Sequence, residues 1–285
     1  MTQYLPTHDL EQARVAADMA EFCRAAELPV PRIHPDTDGQ ILSAAGEMLL
    51  EVSDEPPGTP PTAPVSVASA EHIGHTLGRT HRVLASYPLP RATRPTRWTV
   101  GDVLRSLRRW ERTLSQLGPG NRPARELLNA LRQHGPGLAA EPAWDDLTRH
   151  AVHGEFTRTN LKAVCDAIQG VVGFRAQEAH LSWELSRIAY EPQNVARDPQ
   201  WMRPVLAFFR SYWSANPTLP LEDLTASARI ASLRLLHAAP RPWPAHQPAA
   251  APWHLHTEAL RRLLVSIDAI DSALMKMATT RERGP

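Results

Sequence analysis

One short stretch limits what this chain can fold into. VHGEFTRTN, residues 152–160, reads as a loop, and two β-type runs follow it directly: LKAVC (161–165) and GVVGF (170–174), spaced as a hairpin. Nearly everything else after residue 70 carries helical periodicity. Ile73, Leu77, His81 and Leu84 share one face. Val103, Leu104, Leu107, Trp110, Leu114 and Leu117 form a strongly amphipathic run, stopped by Gly118-Pro119-Gly120. Leu127, Leu128 and Leu131 mark a further helix ending near Gly135-Pro136, and others are expected over 200–214, 222–238 and 257–277. The loop therefore presents His153, Glu155 and Asn160 from a helical surround, and Gly154 allows the tight turn that carries Glu155.

The front of the chain is different. Residues 9–26 predict a helix with Asp9 as N-cap and Val15, Met19, Phe22, Cys23 and Ala26 on its apolar face. Residues 28–52 alternate short apolar runs with a turn at Asp36-Thr37-Asp38-Gly39, which predicts two or three antiparallel strands. Five prolines make 53–69 an irregular connector. The expected division is a small mixed region, 1–69, and a larger helical region, 70–285, with one β-hairpin. A proline-rich loop is expected at 239–253.

Composition excludes several classes. At 42% hydrophobic and 21% charged residues, usage is that of an ordinary globular protein, and no apolar run is long enough to span a membrane. The N-terminus has no basic and then apolar signal pattern, and Cys23 and Cys165 have no metal-type spacing; a cytoplasmic protein with two buried thiols is expected. A net charge of +1 argues against broad attraction to nucleic acid or membranes. Lys162 and Lys276 are the only lysines among 31 basic residues.

Phosphoryl transfer from ATP needs a carboxylate to accept the hydroxyl proton. It also needs an amide oxygen and a second carboxylate to hold Mg²⁺, and a lysine with a backbone loop to position the phosphates. Glu155 has the chemistry of the base and Asn160 that of a metal ligand. The second carboxylate belongs at the end of the second hairpin strand, where Gly173 stands.

At this point the chain resembles the aminoglycoside phosphotransferase and choline kinase-like family. That family's loop reads His-Gly-Asp with Asn five residues after the Asp, and its metal strand reads Ile-Asp-Phe. His153, Gly154 and Asn160 match; Glu155 replaces the Asp, and Val172-Gly173-Phe174 replaces Ile-Asp-Phe. SWELSRIA (182–189) is similar to the family's Asp-Leu-Ala segment, with Glu184 in the Asp place. Upstream, LPVPRIHPDTDGQIL and HIGHTLGRTHRVLAS (72–86) resemble family segments, and FFRSYW (208–213) falls where the family has an aromatic helix. The similarity runs over roughly residues 10–277.

The resemblance implies an α+β, kinase-like fold with a reduced N-lobe and a mainly helical C-lobe. MTQYLPT reads as a remnant of the family's third strand without its lysine, and with no glycine in the first 38 residues there is no glycine-rich loop to cover phosphates. The leading expectation is a pseudokinase that binds a protein or peptide partner, with no cofactor and no metal. By family analogy it would serve a bacterial peptide-tailoring pathway. Two alternatives stay open: an active small-molecule phosphotransferase with Glu155 as base, and a cleft reused for other chemistry such as peptide cyclisation. His153, Glu155 and Asn160 form the remnant loop; Gly173, Phe174, Arg175 and Glu178 are the expected cleft residues. His246, His254 and His256 read as loop residues rather than a metal site, and the arginines of 104–112 as a solvated face. Trp243 and Trp253 are mostly packing residues, with a peptide groove as the lesser reading.

Overall fold

The computed structural model describes residues 2–4, 10–45, 48–89, 98–139, 144–238 and 251–282. Its front part holds β1 (Thr2–Tyr4), α1 (Leu10–Ala25), β2 (Ile33–His34), β3 (Ser43–Ala45) and β4 (Met48–Ser53). β4 is the central strand, antiparallel to all its partners. β1 takes one edge with Gln3 opposite Leu50, while β2 and β3 follow each other along the other edge. The turn before β3 is organised by Asp36, whose carboxylate accepts from the backbone N–H of Asp38 and Gln40 and from the Ser43 hydroxyl. α1 forms where its periodicity predicts; Asp9 lies outside the described residues. Cys23 is fully buried, and burial pushes its thiol up to about 12. Cys165 is exposed, contrary to expectation, because it sits with Asp166 in a tight turn of positive φ (48° and 69°).

The larger part holds eight helices among the described residues: α2 (Val67–Leu84), α3 (Val100–Ser115), α4 (Arg122–Leu138), α5 (Leu181–Ala189), α6 (Pro192–Arg197), α7 (Met202–Ala215), α8 (Leu221–His237) and α9 (Ala251–Glu282). Caps follow from sequence. The Ser66 hydroxyl accepts from Ser69 N at 2.9 Å, and Thr99 and Asp102 close a capping box. α2 packs against α7 with almost no gap: a Cβ on Gly74 would lie 2.2 Å from the Phe208 carbonyl oxygen, and one on Gly78 2.5 Å from that of Tyr212.

Trp110 anchors α3. Its ring is fully buried and its Nε1 donates to Leu236 O at 2.8 Å, while Arg105, Arg108, Arg109 and Arg112 are solvated as expected. Leu104 departs from the predicted apolar face and is exposed. α4 runs through Pro136 to Leu138, and the proline leaves Arg132 O without its intrahelical donor in the last turn. α9 starts earlier than its leucine pattern suggests. Trp253 stacks on Trp110 with ring centroids 5.2 Å apart, and His256 Nε2 donates to Leu235 O at 2.7 Å, so both rings belong to helix packing. Trp243 and His246 lie outside the described residues. No helix among the described residues is long and apolar enough to cross a membrane.

Four strands sit among these helices: β5 (Arg149–Val152), β6 (Leu161–Val164), β7 (Ala167–Val171) and β8 (Gln177–His180). β6 and β7 form the expected hairpin, with Leu161 opposite Val171. The second strand, however, lies three residues earlier than predicted and ends before Gly173. β5 pairs with β8, Arg149 opposite His180, so the loop 153–160 leaves from one two-stranded ladder and enters the other. Thr59 bridges to Ala163 and ties the connector to the hairpin.

Candidate active site

The loop is built around a neutral histidine. His153 is fully buried; its Nε2 donates to Val172 O and its Nδ1 accepts from Glu155 N, both at 3.1 Å. That pairing places the single proton on Nε2. Burial lowers the ring's pKa to about 4, so it holds the loop as an uncharged group. The rings of Phe174 and Phe156 pack on it, with centroids at 4.2 and 5.6 Å. Gly154 has φ 88°, the left-handed conformation the turn requires.

Behind the turn lies a buried polar chain. One oxygen of Glu184, on α5, accepts from Gly154 N at 2.7 Å and Phe156 N at 3.4 Å. The other faces His81 Nε2 at 3.0 Å; His81 Nδ1 faces the Tyr212 hydroxyl at 2.8 Å, which accepts from Asn216 Nδ2 at 3.2 Å. Burial raises the Glu184 pKa, but the hydrogen bond and charge of His81, with the Gly154 N–H, outweigh it and leave the carboxyl below its ordinary range. Arg187 Nη1 and Gln177 Nε2 donate to Gly154 O at 2.8 and 3.1 Å. The sequence match had placed Glu184 in a family position. His81, Tyr212 and Arg187 were not singled out as site residues, although His81 on an otherwise apolar face was the signal available.

The front of the loop is arranged otherwise. The Glu155 carboxylate pairs with the Arg175 guanidinium and lies 3.8 Å from Arg187 Nη2. Asn160 turns its amide inward: Nδ2 donates to Glu155 O at 2.9 Å. A Cβ built on Gly173, which has φ 75°, would meet that amide at 2.9–3.1 Å. The Asn160 side chain therefore packs directly on Gly173, which offers no carboxylate of its own. The residues present do not fit a two-ligand Mg²⁺ site. Phe174 is buried against His153, Arg175 N donates to His153 O at 2.8 Å, and Gln12 of α1 donates to Ala176 O at 2.7 Å. Glu178 falls on β8 and pairs with Arg149 at 2.8 Å, away from Glu155.

A cavity of about 200 Å³ separates α1 and β4 from the hairpin, with Gly173 and Phe174 at its wall. Its charged residues are Glu51, Asp54, Glu55 and Lys162, and Lys162 Nζ lies 3.7 Å from Glu55. Three acids outnumber the one lysine in this wall, with Asp54 also meeting His34 Nε2 at 2.6 Å.

A histidine-centred loop, its buried carboxylate support and the following hairpin define a kinase-like protein. Residues 1–221 match the phosphotransferase enzyme family, and the chain belongs to that family. Among solved structures, an aminoglycoside phosphotransferase from Alicyclobacillus acidocaldarius is similar with a TM-score of 0.69 and 13% identity, over 99% of this chain and 86% of that one. A microcompartment-associated aminopropanol kinase gives 0.53 and 14% over 93% and 84%. An amicoumacin kinase in complex with AMP-PNP, Ca²⁺ and Ami gives 0.52 and 15% over 92% and 78%. At such identities the likeness is one of fold. No curated protein matches the sequence.

Proposed function

We propose that this chain is a pseudokinase: it keeps the loop architecture of the phosphotransferase family, does not transfer phosphate from ATP, and acts by binding a protein or peptide partner. The observation that carries this reading is Gly173 itself: the position that should hold the second metal carboxylate has no side chain, and the Asn160 amide packs on it while donating to Glu155 O. Phosphoryl transfer depends on positioned charge, and the loss of one such group costs about 10²–10³ in rate. Glu155 adds to the case, since its carboxylate is engaged by Arg175 and a longer side chain displaces the base. The acid-lined cavity does so as well. The location is taken as cytoplasmic and the role as accessory to peptide tailoring. The test is ATP consumption by the purified protein with Mg²⁺ over aminoglycosides, choline and Ser/Thr peptides. The expected result is background hydrolysis with every acceptor; acceptor-dependent turnover would make the chain a kinase with an unusual base.

A further inference from the structure

Away from the loop, α7 and α9 enclose an open trough of about 590 Å³, within the range of about 300–1,000 Å³ usual for ligand sites. Its charged residues among those described are Arg210, Lys276 and Arg281, with no described carboxylate in its lining. On a chain of net charge +1 this is a marked local excess. Arg281 is held in place: its guanidinium lies 4.7 Å from the Trp213 ring centroid, and Nη2 donates to Pro217 O at 3.2 Å. Trp213 is fixed in turn by its Nε1, which donates to Leu219 O at 3.0 Å. Arg210 and Lys276 are exposed and form no ion pair among the described residues. The partly exposed apolar lining is Ala273 and Met277, since Trp213 is buried beneath Arg281.

The shape selects the ligand further. The α9 wall runs from Ala273 to Arg281, about 12 Å at helical rise, which is the reach of about four residues of extended chain. A simple anion would satisfy the cations and leave the apolar lining bare. We propose that this trough binds an acidic peptide segment of a partner protein, its carboxylates on Arg210, Lys276 and Arg281 and its apolar side chains on Ala273 and Met277. The proposal rests on the partner-binding half of the function above and supplies the partner's chemistry. It uses no residue of the loop, so ATP turnover, if found, would overturn the pseudokinase reading and leave this one to its own test.

The test is fluorescence anisotropy with the full chain and a short fluorescein-labelled peptide of Glu-Leu repeats, with a Lys-Leu peptide and sodium tripolyphosphate alongside. Saturable binding of the Glu-Leu peptide is expected, weakening as salt rises, with none by the Lys-Leu peptide. Arg210→Glu with Lys276→Glu, both exposed, should weaken it at least about tenfold at unchanged melting temperature. Absence of saturable binding overturns the proposal, as does equal binding by the double variant. Displacement of the peptide by an equal concentration of tripolyphosphate would mark a bare polyanion site and overturn the peptide assignment.

Discussion

The two sides of the loop 153–160 have been treated very differently. On the buried side, Glu184 holds Gly154 N and Phe156 N, His81 and Tyr212 hold Glu184, and His153 clamps Val172 to Glu155. On the cleft side, the carboxylate is paired with Arg175, and the amide of Asn160 packs on Gly173. The loop's support does not run through the groups on its cleft side. The groups that fix the turn are dry and would cost stability if lost, whereas the half-buried Glu155 carboxylate is tied only by ion pairs and can change at little cost to folding.

That contrast breaks most readily at Glu184. Glu184→Ala strips the acceptor from two backbone N–H groups and from His81, and should cost about 3–5 kcal/mol in denaturant unfolding. A loss under about 1 kcal/mol would mean the chain behind the turn is dispensable.

Acid sharpens the same difference. Burial lowers both His150 and His153 to about 4 from an ordinary 6.5. Their contribution is complete above pH 6.5 and is lost as pH falls from there to about 4, because the unfolded chain takes up the protons. Asp223, raised to about 6 by burial, works the other way: its contribution is complete below an ordinary 3.8 and lost as pH rises through about 6. Two histidines against one aspartate should leave the melting temperature falling between pH 6.5 and 4; a flat profile would contradict the buried loop histidine.

Single substitutions around the turn come next. His153→Ala leaves Glu155 N and Val172 O without their partner and should cost about 1–3 kcal/mol. Gly173→Ala meets both a left-handed φ and the Asn160 amide and should cost about 1–2 kcal/mol by chemical denaturation. Glu155→Ala removes only a solvated ion pair and should fall within about 1 kcal/mol of the wild type. If Glu155→Ala proves as damaging as His153→Ala, the division between support and chemistry does not hold.

Much of the fold was legible because its helices carry strong periodicity: Trp110, Leu127, Leu260 and Leu264 are buried where spacing puts them. The hairpin was legible in kind and misplaced in register. GVVGF is a continuous apolar run, yet Gly173 turns left-handed and the chain leaves the strand at Val171. β5 and β8 were missed because RHAV and QEAH carry charged and polar residues, which only the ladder between them accommodates. In the site, His153, Gly154 and Asn160 could be named from their spacing. The inward turn of the Asn160 amide could not, since it depends on what a neighbouring glycine leaves empty. Nor could the pairing of Glu178 with Arg149, which follows from the unseen ladder.

The most direct measurement of the central claim is the melting temperature of the wild-type chain with and without millimolar Mg-ATP. A ligand at 100 times its dissociation constant adds about 2.7 kcal/mol, enough to raise the midpoint clearly. An acid-lined cavity beside a glycine at the metal-carboxylate position predicts no Mg-dependent change; a reproducible upward shift with Mg-ATP, absent with ATP and chelator, would contradict it.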